Sequence, residues 1–207
     1  NADAPESMLA DPGHEFADTL QQLCGSKAGE YVPFKPYPSV MDLSGFVANF
    51  ATSTTEDKVE AHHPCPEQYG DVMKCFGNKV KLPAIWELAT EFAVCDRWFS
   101  SMPGPTWPNR FFAYAASSGS LDDSPSPWEM LQWEGPDKGI EFLNGSIFSL
   151  IKKPNYRLYQ HNFSQTSFPI VLGIKGLHLE DMHDLSTFKS DLQTGYTYPL
   201  TLIEPNY

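Results

Sequence analysis

The chain has no apolar run approaching the roughly 20 residues that a membrane-spanning helix needs, so a transmembrane helix is not expected. It also lacks a basic stripe. Lys and Arg number 14 against 26 Asp and Glu, a formal net charge of −12, and a binder of phosphate backbones normally shows the opposite balance. Nucleic acid is therefore not an expected partner, whereas divalent cations or simple solubility suit an acidic surface. Low-complexity tracts and internal repeats are absent. With 41% hydrophobic residues and 19% charged, the composition is that of a globular protein, not a disordered one. The first residues, Asn1-Ala2-Asp3, show no initiator Met, basic region or apolar core of a signal peptide, and so they say nothing about export.

Cysteine is scarce too. Cys24, Cys65, Cys75 and Cys95 allow three pairings, and sequence cannot choose among them. The plain expectation is mostly buried thiols, with a Cys65–Cys75 bridge open to a secreted protein. Two glycosylation triplets, Asn144-Gly-Ser and Asn162-Phe-Ser, lean towards a secreted, secretory-pathway or periplasmic protein and leave the cytosol open.

At 207 residues there is material for one α/β domain with a full core. Asp11-Pro-Gly-His14 is a turn signal before a helix predicted over 15–23 and ended by Gly25. Three prolines make 32–38 extended, apolar spacing predicts a helix over 41–50, and 51–70 reads as a polar surface excursion. Pro83 suits the first position of a helix that repeats Ile85, Leu88, Ala89 and Phe92 on one face. A short, largely buried strand is predicted over 93–99. Pro103, Gly104 and Pro105 then forbid regular structure until Pro108 restarts a helix reaching Ala116. Further on, a helix over 147–152 and strands over 156–159 and 200–203 complete an alternation that argues for α/β layering and a mostly parallel sheet.

The loop between the strand over 93–99 and the helix after it carries the chemistry. A rigid Pro/Gly turn delivers the hydroxyl of Thr106 to the start of a helix, beyond the carboxyl end of the strand, where open α/β sheets bind ligands. The amide groups and positive end of the helix favour a phosphate there and stabilise the charge of a phosphoryl transition state. A hydroxyl nucleophile needs activation, most often by a metal ion. Arg110, one turn on, is placed to neutralise phosphoryl oxygens. The plainer alternative is that Thr106 only caps the helix.

The stretch Met73-Lys-Cys-Phe76, then Leu82-Pro, then Glu87-Leu-Ala-Thr-Glu-Phe-Ala-Val-Cys-Asp-Arg-Trp-Phe-Ser-Ser-Met-Pro-Gly-Pro-Thr-Trp-Pro-Asn-Arg110 closely resembles the phosphoesterase family. That family holds bacterial phosphatidylcholine-preferring phospholipases C, certain acid phosphatases and plant non-specific phospholipases C. Asp11-Pro-Gly-His14-Glu-Phe, the segment from Ser146-Ile-Phe to Tyr159, and residues 200–207 resemble it more weakly. The resemblance implies an alkaline-phosphatase-like three-layer α/β/α fold and metal-assisted hydrolysis of a phosphoester. Thr106 matches the family nucleophile and one metal ligand. His14 matches a histidine near the phosphate, able to bind an oxygen or move a proton; otherwise it is a solvated turn residue. The implied substrate is a phospholipid or a small phosphoester, with room for peripheral membrane contact.

The chain also departs from the family pattern. The Glu-Asn pair of the family's N-terminal metal motif is missing, as are the later His-Pro-Pro segment and the Asp-Glu-His-Gly-Gly-Phe-type motif. The expectation is a single partial catalytic domain over 1–207, inactive alone, whose divalent metal ion of unknown identity takes its other ligands outside this chain. A phospholipase C-like hydrolase acting through a phospho-threonine is the leading reading, a non-specific acid phosphatase the near alternative, and a non-catalytic homologue the distant one.

Other constellations carry less. His62-His63-Pro-Cys65 with Cys75 fits no common zinc pattern. His178 and His183 are five apart, not the four a helical chelate wants, so a solvated polar face is expected there. Asp122-Asp123 reads as a solvated loop pair. Trp98, Phe99, Phe111, Phe112 and Tyr114 are expected in the core, and Trp107 lining a lipid or head-group pocket.

Overall fold

The computed structural model describes residues 4–8, 10–33, 35–54, 62–77, 79–133, 138–161 and 169–204. The chain forms two compact units, one running to Gly104 and the other starting at Pro105.

In the first unit, α1 (Phe16–Cys24) buries Leu20 and Cys24, one turn apart on a single face. A short 3-10 turn (Gly25–Glu30) leads on towards α2 (Phe46–Phe50), which buries Asn49 and Phe50. The helix predicted over 41–50 is realised only in its second half. Leu43 holds φ +59°, a left-handed conformation that no helix can absorb. Gly45 lies directly against α1: a Cβ there would stand 1.8 Å from the carbonyl oxygen of Gln21. Only glycine permits that approach. The excursion predicted over 51–70 contains a 3-10 helix, Pro66–Met73, with Pro66 in its first turn.

The α3 helix (Pro83–Glu91) begins at the expected proline, but its apolar face is not buried. Every residue from Lys79 to Ser101 is exposed. No strand forms over 93–99, since a strand needs a neighbour to pair with and none of the described residues supplies one there. Trp98 and Phe99, expected in the core, are 83% and 78% exposed. Cysteine also departs from expectation: Cys24 alone is buried, Cys65, Cys75 and Cys95 are exposed, and all four are free thiols.

The second unit holds the sheet. β1 (Tyr156–Gln160) lies between β2 (Met182–Asp184) and β3 (Leu200–Glu204), in the order β2-β1-β3, with both pairings parallel. The class is thus α/β, built on a small three-stranded parallel sheet. Leu158 of the central strand faces Met182 on one side and Leu202 on the other, and it is fully buried. β1 and β3 match the predicted strands. β2 was not foreseen, because three residues reading Met-His-Asp carry no apolar period. His183 therefore lies within a strand, half-buried against the Tyr159 ring, and not on a solvated face.

Around the sheet stand α4 (Thr106–Ala115), α5 (Pro127–Trp133), α6 (Ile147–Ile151) and α7 (Phe188–Gln193). Phe111, wholly buried, anchors α4 in a cluster with Phe142, Phe148, Leu158, Val171 and Ile174. A 3-10 turn (Ile170–Gly173) runs beneath α4, and a Cβ on Gly173 would stand 2.8 Å from Cζ of Phe111. This contact sets how closely α4 approaches the turn.

Candidate active site

α4 starts at Thr106, two residues earlier than predicted. Pro105 takes the cap position in an extended conformation (ψ −178°), and no side chain caps this end. Thr106 is therefore the first helical residue and not the cap, which removes the capping alternative. Its side chain is exposed, while Pro105 and Pro108 on either side are buried and hold the backbone rigid. Proline at the cap and at the third position has no amide hydrogen. The first-turn amides are thus those of Thr106 and Trp107, which lie ahead of the helix's own hydrogen-bond ladder. The C-terminal end of α4 closes at Ala116 in the left-handed conformation.

Trp107 turns inward. Its ring packs against Phe111 at 6.0 Å and Trp133 at 5.8 Å between centroids, which places it on the unit's apolar cluster and not in an open lipid pocket. Phe111 is core as expected, while Phe112 and Tyr114 are half-buried.

Arg110 lies one turn beyond Thr106 on the same side of α4. Its Nη1 donates to Oε2 of Glu204, the last residue of β3, and the other oxygen of Glu204 accepts from the backbone amide of Val171 at 3.1 Å. Glu204 is 1% exposed. In register it stands across from Gln160, which in turn faces Asp184, so the carboxyl edge of the sheet is a row of three polar side chains. This is the edge at which open parallel sheets bind ligands. Sequence reasoning missed Glu204 as a site residue. The available signal was an acid closing the apolar run Leu-Thr-Leu-Ile immediately before Pro205.

His14 belongs to the first unit. It sits on the turn before α1, exposed, with Nδ1 3.2 Å from the Pro12 carbonyl oxygen and 3.2 Å from Oδ2 of Asp11. Nε2 lies 3.7 Å from a Glu15 oxygen. The turn borders a cleft of about 270 Å³ lined by Asp11, His14, Glu15, Asp18, Thr52 and Ser53 among others. A buried amide, Asn49, holds Asp18 of the cleft lining. Asn49 donates to Asp18 at 2.8 Å and to Gln21 at 2.9 Å, and accepts from Gln22 at 2.9 Å. Gln22 also donates to the Gly13 carbonyl, and Gly13 itself donates to the Ser53 hydroxyl at 3.2 Å. The turn is thereby fastened to both α1 and α2.

Among the described residues no three His, Cys, Asp or Glu side chains converge as a metal site. One exposed hydroxyl at Thr106 is no cation cage, and the donors among the described residues do not by themselves fit a divalent ion. His62, His63, Cys65 and Cys75 form no such group either. Asp122 and Asp123 are exposed loop residues, and Asp123 accepts from the Ser124 amide.

The chain is 35% identical to non-specific phospholipase C6 of Arabidopsis thaliana over 98% of its own length and 34% of that protein's. It is 36% identical to non-specific phospholipase C5 of the same plant, over 99% of this chain and 36% of the relative. For non-specific phospholipase C1 the identity is 35%, over 95% and 32%. The chain thus spans about a third of the length of the curated relatives it matches. The model of the Phosphoesterase family matches residues 2–199, which takes in the His14 turn, the Thr106 loop and the strand over 156–160; the chain belongs to the phosphoesterase family.

Proposed function

We propose that the protein is a phosphoester hydrolase of phospholipase C type, with Thr106 as its nucleophile. The observation that carries this reading is the exposed Thr106 hydroxyl at the first position of α4, relieved of any capping duty and set at the positive end of a ten-residue helix. Kinship with non-specific phospholipases C supports a phospholipid as substrate. A soluble phosphomonoester is the second reading, because the loop determines phosphoryl chemistry and not the leaving group.

In this reading the Thr106 oxygen attacks phosphorus, the bond from phosphorus to the substrate alcohol breaks, and the alcohol leaves with a proton. Water then attacks the phospho-threonine and frees the phosphorylated head group. The first-turn amides and the helix dipole stabilise charge as it grows on the phosphoryl oxygens. His14, with Asp11 and Glu15 beside it, is proposed to bind a phosphoryl oxygen or move the proton. Arg110 joins them through its charge, at a position dictated by Glu204. A divalent ion remains a proposal for the full-length protein, with Thr106 among its ligands and the others outside this chain.

Both units are read as parts of one alkaline-phosphatase-like catalytic domain, since the family match, over residues 2–199, takes in both. No helix among the described residues is long and apolar enough to cross a membrane, so access to phospholipid is proposed as peripheral contact.

The test is Thr106→Ala in the full-length protein, assayed for diacylglycerol release from phosphatidylcholine and for phosphate release from a soluble monoester. Turnover is expected to fall on the order of 10³-fold or more. Folding should be kept, because an exposed first-turn side chain contributes at most about 0.5 kcal/mol. An active Thr106→Ala enzyme would overturn the assignment.

A further inference from the structure

Catalysis by Thr106 needs the amino end of α4 fixed in rotation as well as in place, and the buried Pro105 and Pro108 fix only the local backbone. Packing alone is a weak answer. Phe111 packs the helix onto the apolar cluster, and an apolar contact resists lifting better than it resists rotation about the helix axis.

Glu204 supplies the missing constraint. It is a carboxylate buried to within 1% at the end of a strand, in a unit whose other large, fully buried side chains (Tyr159, Phe111, Leu158, Val171) are mostly apolar. Burying a charge is costly unless it is paired and hydrogen-bonded, and an apolar residue of like size often serves stability as well or better. Stability alone is thus a poor reason for an acid here. Its two oxygens go to two different elements. One receives the Val171 amide at 3.1 Å, on the 3-10 turn beneath α4; the other receives the Arg110 guanidinium, on α4 itself. Arg110 and Thr106 are four residues apart, so they share one side of the helix. Turning α4 enough to swing the Thr106 hydroxyl out of line would therefore break the ion pair.

We infer that Glu204 is a positioning residue: through Arg110 it sets the rotation of α4 and so aims the Thr106 hydroxyl at phosphorus. This rests on the reading of Thr106 as nucleophile. It also gives Arg110 a second task, since a guanidinium held by a buried carboxylate is oriented before any substrate arrives.

The experiment is Glu204→Gln in the full-length protein. Glutamine keeps the volume and can still accept from the Val171 amide, but it gives up the ion pair. The expected result is a kcat lowered about 10²-fold, with KM within about twofold, and a matching slowing of phosphoenzyme formation in rapid quench, because small misplacements of a reacting group cost about this much. Arg110→Gln should lower kcat by at least as much, because it also takes a charge from the phosphoryl oxygens, and the double variant Arg110→Gln/Glu204→Gln should be no slower than Arg110→Gln alone, since the pair positions α4 as one device. The double variant carries no unpaired buried charge, so it remains informative if Glu204→Gln fails to fold. A purely structural Glu204 would lower the melting temperature and leave kcat within twofold; that result overturns the inference. So does an Arg110→Gln loss that is large while Glu204→Gln stays active, which would mean that Arg110 serves the phosphoryl group alone. Thr106→Ala measured alongside separates the failures. If it is active, the nucleophile reading falls; if it is inactive beside an unimpaired Glu204→Gln, only the positioning role falls.

Discussion

The two units handle their apolar residues in opposite ways. From Pro105 onward, aromatic and aliphatic side chains converge on a common cluster, with Phe111, Leu158, Tyr159 and Val171 wholly buried. In the unit before it, Ala10, Leu20, Cys24 and Phe50 are the buried hydrophobic side chains among the described residues, while α3 and the residues after it leave Ile85, Phe92, Val94, Trp98 and Phe99 in solvent. The first unit leans instead on polar fastening through Asn49, Asp18, Gln21 and Gln22. Apolar composition, then, does not by itself decide burial. A hydrophobic face contributes only if another face is present to cover it.

Three measurements on this 207-residue chain sharpen or break that contrast. The largest effect is expected from Phe111→Ala, which should destabilise the second unit by about 3–5 kcal/mol through cavity formation. Trp98→Ala, the removal of a larger but exposed ring, should stay within about 0.5 kcal/mol. Hydrogen exchange at the amides of β1 and α3 reads the two separately. Comparable losses would show that residues 79–101 are packed after all.

Next comes Asn49→Ala, which strands Asp18, Gln21 and Gln22 without their shared partner. It should cost about 1–3 kcal/mol, felt in the first unit alone. The readout is faster exchange at α1 with β1 unchanged, and equal loosening of both would refute it.

The smallest effect concerns pH. Burial, and secondarily the Arg157 charge, push the His183 imidazole below its ordinary value of 6.5, against a weaker pull from Asp191 and Asp181. The folded state therefore binds this proton less readily than the unfolded one. Stability from the neutral ring is whole above 6.5 and is lost as pH falls below it through the folded value. In His183→Gln the second unit should lose less stability between pH 7 and pH 5 than the parent does, as measured by urea denaturation. An unchanged pH slope would remove His183 as the cause. The first unit should show no matching change.

Legibility followed the same division. Strands β1 and β3 were readable, over 156–159 and 200–203, because these short segments are rich in the strand formers Tyr, Leu, Ile and Thr, and the helix at Pro83 began where proline belongs. The strand predicted over 93–99 was wrong for a definable reason: Val94, Trp98 and Phe99 have the right residue types, but pairing is a property of neighbours and not of a segment. β2 was missed for the converse reason. Met182–Asp184 has little strand character, and it becomes one by lying in register beside Leu158 to Gln160. At the candidate site, Thr106 could be picked from the Pro-Gly-Pro turn before it, while Glu204 could not be linked to Arg110 across 94 residues.

Sequence alone determined the rigid turn, the hydroxyl at a helix start, the acidic balance and membership of the phosphoesterase pattern, because each is a matter of local stereochemistry or of residue order. Tertiary structure alone decided that Thr106 is the first helical residue and not the cap, that Glu204 closes on α4, and that Phe111 and Leu158 are buried while Trp98 and Phe99 are not. Those outcomes depend on which distant groups arrive at the same place, and a linear pattern carries no distances between them.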